Sequence, residues 1–250
     1  MVVAKQRKGG KPMTTPDWLE RTSLLMGPDK MERFRRAHVL VVGTGGVGAY
    51  AAEMLVRAGI GRLTLLDADR VQPSNINRQL CALHSTVGEE KVRVLGLRFK
   101  DINPELDLTV RAEFLEEHSA SALLDSAKFD FIVDAIDTIA PKCALIEEAM
   151  KRRIRIVSSM GAGAKTDITQ IRFADLWETF HCGLSKAVRT RLKRDGMRRP
   201  LPVVFCAQQA DPAALVQVEG ERNKKTTTGT VSYMPAVFGC YLAQYVISRL

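Results

Sequence analysis

The 250-residue sequence predicts an α/β protein with a Rossmann-like, doubly wound, mostly parallel sheet and a C-terminal extension. Two observations predict it. From His38 to Val157, short β-branched runs alternate with segments of helical apolar spacing. The first run ends in a glycine-rich turn, and the second ends in an aspartate about twenty residues beyond that turn.

Val39-Leu40-Val41-Val42 is apolar at every position, as a strand covered on both faces must be, and Gly43 ends it. Val47, Ala51, Met54, Leu55 and Ala58 recur at helical spacing, with Gly59 and Gly61 where a C-terminal cap belongs. Leu63-Thr64-Leu65-Leu66-Asp67 then completes a βαβ unit. Val92, Leu95, Phe99 and Ile102 mark a further helix, and Leu108 to Arg111 a strand. Phe131-Ile132-Val133 reads as a strand, Pro141 to Arg152 as a helix and Ile154-Arg155-Ile156-Val157 as a strand.

After Gly163 the alternation stops. Leu184, Val188 and Leu192 give a helix within a basic run, followed by Pro200, Pro202 and a polar stretch from Glu219 to Thr228. Val231 to Leu250 is mostly apolar and just long enough for a bilayer. Pro235, Tyr241, Gln244, Tyr245 and Arg249 make it a buried or dimer-interface helix instead, so no stable membrane insertion is expected. The expected organisation is a flexible basic tail over 1–17, carrying Lys5, Arg7, Lys8 and Lys11, and one nucleotide-binding domain over 18–250. Its core spans 38–165 and its extension 166–250.

Composition narrows the function classes. With 46% hydrophobic and 26% charged residues, the chain is neither collagen-like, disordered nor a disulfide scaffold, and its size needs no metal to fold. Its five scattered cysteines and the lack of a secretory leader point to a reducing cytoplasm. The net charge of +9 points to an anionic partner: nucleic acid, nucleotide or membrane surface.

Gly43-Thr44-Gly45-Gly46-Val47-Gly48 stands where a strand enters a helix, so Gly43, Gly45 and Gly46 let phosphates approach the helix N-terminus. Asp67 is placed to accept ribose hydroxyls. Both features suit NAD and ATP equally. Downstream lie Ser74-Asn75-Ile76-Asn77-Arg78-Gln79, then Gly88 and Lys91, then Asp134-Ala135-Ile136-Asp137. A nicotinamide site has no need of such cations, whereas attack on an α-phosphate builds charge that Arg, Lys and Mg2+ must neutralise. Arg78 and Lys91 fit as phosphate clamps, and Asp137 as the Mg2+ anchor.

GTGGVG, LTLLDADRV, SNINRQ, GEEK and DAID, in that order and spacing, resemble the adenylating enzymes related to ubiquitin-activating enzyme. Bacterial members of that family activate the carboxylates of sulfur-carrier proteins. The resemblance covers Arg21 to Val157. Beyond it, Ser158 to Asp167, Val188 to Lys193 and Phe238-Gly239 look like one branch, the tRNA threonylcarbamoyladenosine dehydratases. The resemblance implies an ATP site lined by Gly46, Asp67, Ser74, Asn75, Asn77, Arg78, Lys91 and Asp137, with Arg21 reaching a phosphate across a homodimer. It implies adenylation of the threonyl carboxylate on a tRNA adenosine, then ring closure by the modification's own urea-like atoms. Such a carboxylate is already an anion at pH 7, so the adenylation step needs no general base. The chain departs from the branch at His181-Cys182-Gly183-Leu184 and at Cys206-Ala207-Gln208, which bears on substrate identity.

The sulfur-carrier-activating relatives hold zinc with two CxxC pairs; this chain has no CxxC, so zinc is not expected. The cysteines carry no flanking pattern that marks a thioester site. Lys186, Arg189 and Lys193 share one helical face opposite Leu184, Val188 and Leu192, a pattern that suits the phosphate backbone of tRNA. Adenylation of the C-terminal Gly of a ubiquitin-like carrier, NAD-dependent redox chemistry and a non-catalytic nucleotide- or RNA-binding module stay open as alternatives. So does a sulfur-transfer protein partner.

Overall fold

The computed structural model describes residues 15–217 and 226–250; the basic tail over residues 1–14 and most of the polar stretch before Thr226 lie outside them. Two short helices, α1 (Glu20–Met26) and α2 (Pro28–Arg36), precede the first βαβ unit, which comprises β1 (His38–Val42), α3 (Gly48–Arg57) and β2 (Arg62–Leu66). Then come α4 (Lys91–Ile102), β3 (Asp107–Arg111), α5 (Ala120–Asp125), β4 (Phe131–Asp134), α6 (Ile139–Lys151) and β5 (Arg155–Ser159). The extension adds β6 (Ile171–Asp175), α7 (Gly183–Arg194), β7 (Pro202–Cys206), β8 (Leu215–Gln217), β9 (Thr226–Thr228) and α8 (Tyr233–Arg249).

Seven strands form one sheet in the order β3-β2-β1-β4-β5-β7-β6, and only β6 runs antiparallel to its neighbour; β8 and β9 make a separate two-stranded ribbon. From β1 the chain moves to β2 on one side and returns through β4 on the other, so the carboxyl ends of β1 and β4 open the crevice where ligands of doubly wound sheets sit. The five β1 residues are buried and alternate between two cores. Val39 and Val41 face α2, α3, α4 and α8, whereas Leu40 and Val42 face α5, α6 and α7.

The apolar C-terminal segment is a buried helix. Phe238, Leu242 and Val246 are fully enclosed, and a Cβ on Gly239 would stand 2.5 Å from the Val47 carbonyl oxygen, so only glycine lets α8 lie on α3. No helix among the described residues is long and apolar enough to cross a membrane.

Several elements differ from the sequence reading. β6 is a half-exposed edge strand whose alternation is short, and β7 opens with Pro202, which reads as loop punctuation but is tolerated at the first residue of a strand. The helices α1, α2 and α5 are too short for a clear period. Part of the polar stretch, Thr226–Thr228, forms β9.

Candidate active site

The turn after β1 is shaped by backbone crowding. Gly43 has φ +86°, and a Cβ there would meet the Ala135 carbonyl oxygen at 2.7 Å; on Gly48 it would strike the Gly43 carbonyl oxygen at 1.8 Å. Gly46 is pressed by Pro235 at the start of α8, at 3.1 Å. At Gly45 a Cβ would meet only the Gln79 side chain, at 3.8 Å, so this is the point where the turn is open to a ligand. At the start of α3 the Ala49 and Ala51 amides already donate to the Gly45 and Val47 carbonyls, at 3.2 and 3.0 Å, while the helix end as a whole carries the positive pole. Two buried polar atoms here, Thr44 Oγ1 and Gln79 Oε1, have no partner in the protein. A polyphosphate nucleotide with its water shell fits here, because it meets the positive end of α3 and offers partners to those two oxygens.

Asp67 directly follows β2, and its Oδ2 accepts the Thr44 N–H at 2.6 Å, while Oδ1 accepts the Asp69 N–H at 2.8 Å. The carboxylate expected at the ribose thus also anchors the turn. Arg78 is half-buried, with Nη1 donating to the Ser74 carbonyl at 2.8 Å and to Asn77 Oδ1 at 2.9 Å; a guanidinium has five N–H donors, so others remain for phosphate. Lys91 is buried and its Nζ meets Asp69 Oδ2 at 2.7 Å, so this clamp residue already has a carboxylate partner that its site must share. Asp137 is exposed beyond β4, with Thr138 Oγ1 at 3.4 Å from its Oδ1.

The two asparagines do more for the protein than the sequence suggests. Asn75 is buried and its Oδ1 accepts the Gln72 N–H at 3.1 Å, which shapes the turn that carries Arg78. Asn77 donates from Nδ2 to the Thr230 carbonyl at 3.0 Å, which ties the same turn to the segment before α8.

Arg21 is exposed on α1 and stands away from this cluster. Leu19 fills the space beside Gly59 at the carboxyl end of α3, and the glycine turn lies at that helix's other end. Within one chain Arg21 therefore does not join the site. The basic face of α7 is likewise divided. Lys186 and Lys193 are exposed, but Arg189 folds back, donating to the carbonyls of Leu176 at 3.2 Å and Thr179 at 2.9 Å and to Thr179 Oγ1. Its guanidinium caps a turn of its own chain, which corrects the expectation of three equivalent phosphate contacts.

Three features escape the sequence reading. Asp134 and Lys142 are fully buried beneath the Asp137 loop, with Nζ 2.8 Å from Oδ2, and Ser158 Oγ and the Ile136 carbonyl complete the network. The unpartnered Thr44 and Gln79 atoms are the second. The third is a cleft of about 550 Å³ lined by Asn77, Lys165, Thr166, Gln208, Asp211 and Thr230 among others. Lys165 is 4% exposed, its Nζ donates to the Cys206 carbonyl at 2.6 Å, and burial pushes its pKa down. The motifs that contain Thr44, Gln79, Asp134 and Lys165 stand out in the sequence, but nothing in them marks these side chains as buried or unpartnered.

Burial pushes the thiols of Cys81 and Cys143 up, Cys143 to about 12, so neither is a ready nucleophile.

The sequence model of the ThiF family matches residues 19–250. The chain is 36% identical over 241 residues to a tRNA threonylcarbamoyladenosine dehydratase of Bacillus subtilis, covering 92% of this chain and 93% of that one. It is 41% identical over 181 residues to the protein of the same name from Escherichia coli, covering 71% and 67%. A crystal structure of the E. coli tRNA N6-threonylcarbamoyladenosine dehydratase in complex with ATP superposes with a TM-score of 0.85 at 33% identity, over 95% of this chain and 96% of that one.

Proposed function

The chain belongs to the ThiF family, and from that premise we propose that it is an ATP-dependent dehydratase of threonylcarbamoyladenosine in tRNA, acting in the cytoplasm through an acyl-adenylate. The observation that carries the reading is the pairing of an open glycine turn at the β1/β4 crevice with Arg78 and Lys91 on its rim. Hydride transfer has no use for those cations; attack on an α-phosphate does.

The reaction has two halves. An oxygen of the threonyl carboxylate bonds to the α-phosphorus and pyrophosphate leaves; the modification's ureido group then closes on the acyl carbon and AMP departs with that oxygen. The net change is loss of one water. In this reading the positive end of α3 and Arg78 hold the phosphates, Lys91 with Asp69 sets the charge beside them, and Asp67 receives the ribose while holding Thr44. Asp137 would hold Mg2+, which when bound offsets phosphate charge. Arg21 completes the site from the second subunit of a homodimer. Lys186 and Lys193 contact the tRNA backbone, positioning it without reading sequence.

The test is ATP consumption with tRNA from cells lacking their own dehydratase, followed by mass spectrometry of the digested nucleosides. The expected result is loss of one water from threonylcarbamoyladenosine, dependent on ATP and on Asp137. ATP use without that mass change moves the substrate to a protein carboxylate, and no ATP use with either substrate returns the chain to a binding module.

A further inference from the structure

Every other buried lysine of the described fold has a carboxylate: Lys91 has Asp69 and Lys142 has Asp134. Lys165 does not. Among the described residues its hydrogen bond goes to the neutral Cys206 carbonyl. Asp211, the acidic residue of the same cleft, is exposed and spends Oδ1 on the Ala213 N–H at 2.9 Å. An ammonium withdrawn from water with one carbonyl, and with no counter-ion among the described residues, is unfavourable unless an anion joins it.

The cleft tells which anion. It shares Asn77 with the turn that carries Arg78, so its contents lie beside the nucleotide. Its walls are braced: the Ala164 N–H bonds the Gly229 carbonyl at 2.8 Å, Tyr233 donates to the Thr166 carbonyl at 3.0 Å, and Gln208 Oε1 accepts the Thr166 and Asp167 N–H groups. We infer that Lys165 is the counter-ion of the carboxylate to be activated, an N-acyl amino-acid carboxylate seated in this cleft. The inference rests on the function proposed above. The pair exists only before adenylation, because the carboxylate charge disappears once its oxygen bonds phosphorus and pyrophosphate leaves. Lys165 therefore favours the substrate over its activated form and sets affinity more than turnover.

The test compares binding of tRNA bearing threonylcarbamoyladenosine with the same tRNA lacking the threonylcarbamoyl group, in wild type, Lys165→Gln and Lys165→Arg. Gln retains a donor for the Cys206 carbonyl without the charge. The expected result is that wild type and Lys165→Arg prefer the modified tRNA, that Lys165→Gln loses about tenfold or more of that preference through a raised KM, and that ATP protects all three equally from heat. Preference retained by Lys165→Gln would overturn the inference while leaving the dehydratase standing; wild type that dehydrates nothing overturns both. On the wild-type protein, independently of any variant's folding, threonylcarbamoyladenosine should compete at least tenfold better than its methyl ester. Equal competition would also overturn the inference.

Discussion

Asp67 and Thr44, twenty-three residues apart, are joined by a 2.6 Å hydrogen bond from the Thr44 amide to the Asp67 carboxylate, so the end of β2 fixes the turn that follows β1. Asp67→Ala should therefore do two things at once. It should weaken ATP binding by about tenfold or more and lower stability by roughly 1–2 kcal/mol, since it removes a charge-assisted bond from a half-buried amide. Calorimetric titration and thermal melting measure the two effects. A loss of affinity with unchanged stability would make Asp67 a ribose contact alone.

Arg78→Ala separates function from folding. Its partners Ser74 and Asn77 lie on the surface, so the stability change should stay below about 1 kcal/mol, whereas ATP turnover with substrate tRNA should fall by about a hundredfold, the scale of losing one preorganised group that offsets developing charge. Normal turnover would remove Arg78 from the site.

The Asp134–Lys142 pair predicts a large structural effect. Lys142→Met leaves a buried carboxylate with only Ser158 and the Ile136 amide beside it, and should cost about 3–5 kcal/mol. The double variant Asp134→Asn with Lys142→Met should recover part of that loss in denaturant unfolding, because no buried charge remains. Additive losses would mean that the two side chains do not interact.

On α7 the basic residues should divide by role. Replacing Lys186 and Lys193 with Ala should weaken tRNA binding and flatten its salt dependence by up to about two in log–log slope. Arg189→Ala should instead lower stability by about 1–2 kcal/mol, since it frees the carbonyls of Leu176 and Thr179. A salt slope unchanged in the double lysine variant would make this face merely solvated.

Glu53 gives the fold an acid limit. Burial pushes its carboxyl up, but hydrogen bonds from Arg98 and Arg57 outweigh that and hold it below the ordinary carboxylate value. A folded-state value below the unfolded one means that ionised Glu53 stabilises the α3–α4 contact above about pH 4.3, and that this contribution fades as pH falls further. Glu53→Gln should thus lower stability by about 1–2 kcal/mol at pH 7 and by little near pH 3 in urea titrations. An equal loss at both values would assign the effect to shape and not charge.

The sequence made the nucleotide half of the molecule legible for a physical reason. Parallel strands covered on both faces must be apolar throughout, and the turn between Gly43 and Gly48 tolerates no Cβ at either end, so both leave plain marks. Where polar side chains serve the interior, the marks mislead. Nothing in the sequence marks Lys142 or Lys165 as buried, because a buried cation differs from a solvated one only through partners distant in sequence: Asp134 for the first, the Cys206 carbonyl for the second. Arg189 misleads in the same way, since periodicity puts it on the basic face while its guanidinium turns inward. Arg21 enters only through the family resemblance, because among the described residues it lies at the opposite end of α3 from the glycine turn.

The pressure of Pro235 on Gly46 and of Gly239 on Val47 has a consequence for biosynthesis. A growing chain that has reached residue 165 already holds five parallel strands and the glycine turn, yet the surface against which that turn rests has still to be made. The glycine turn therefore gains its full packing only when α8, made well after the parallel strands, comes to rest on it.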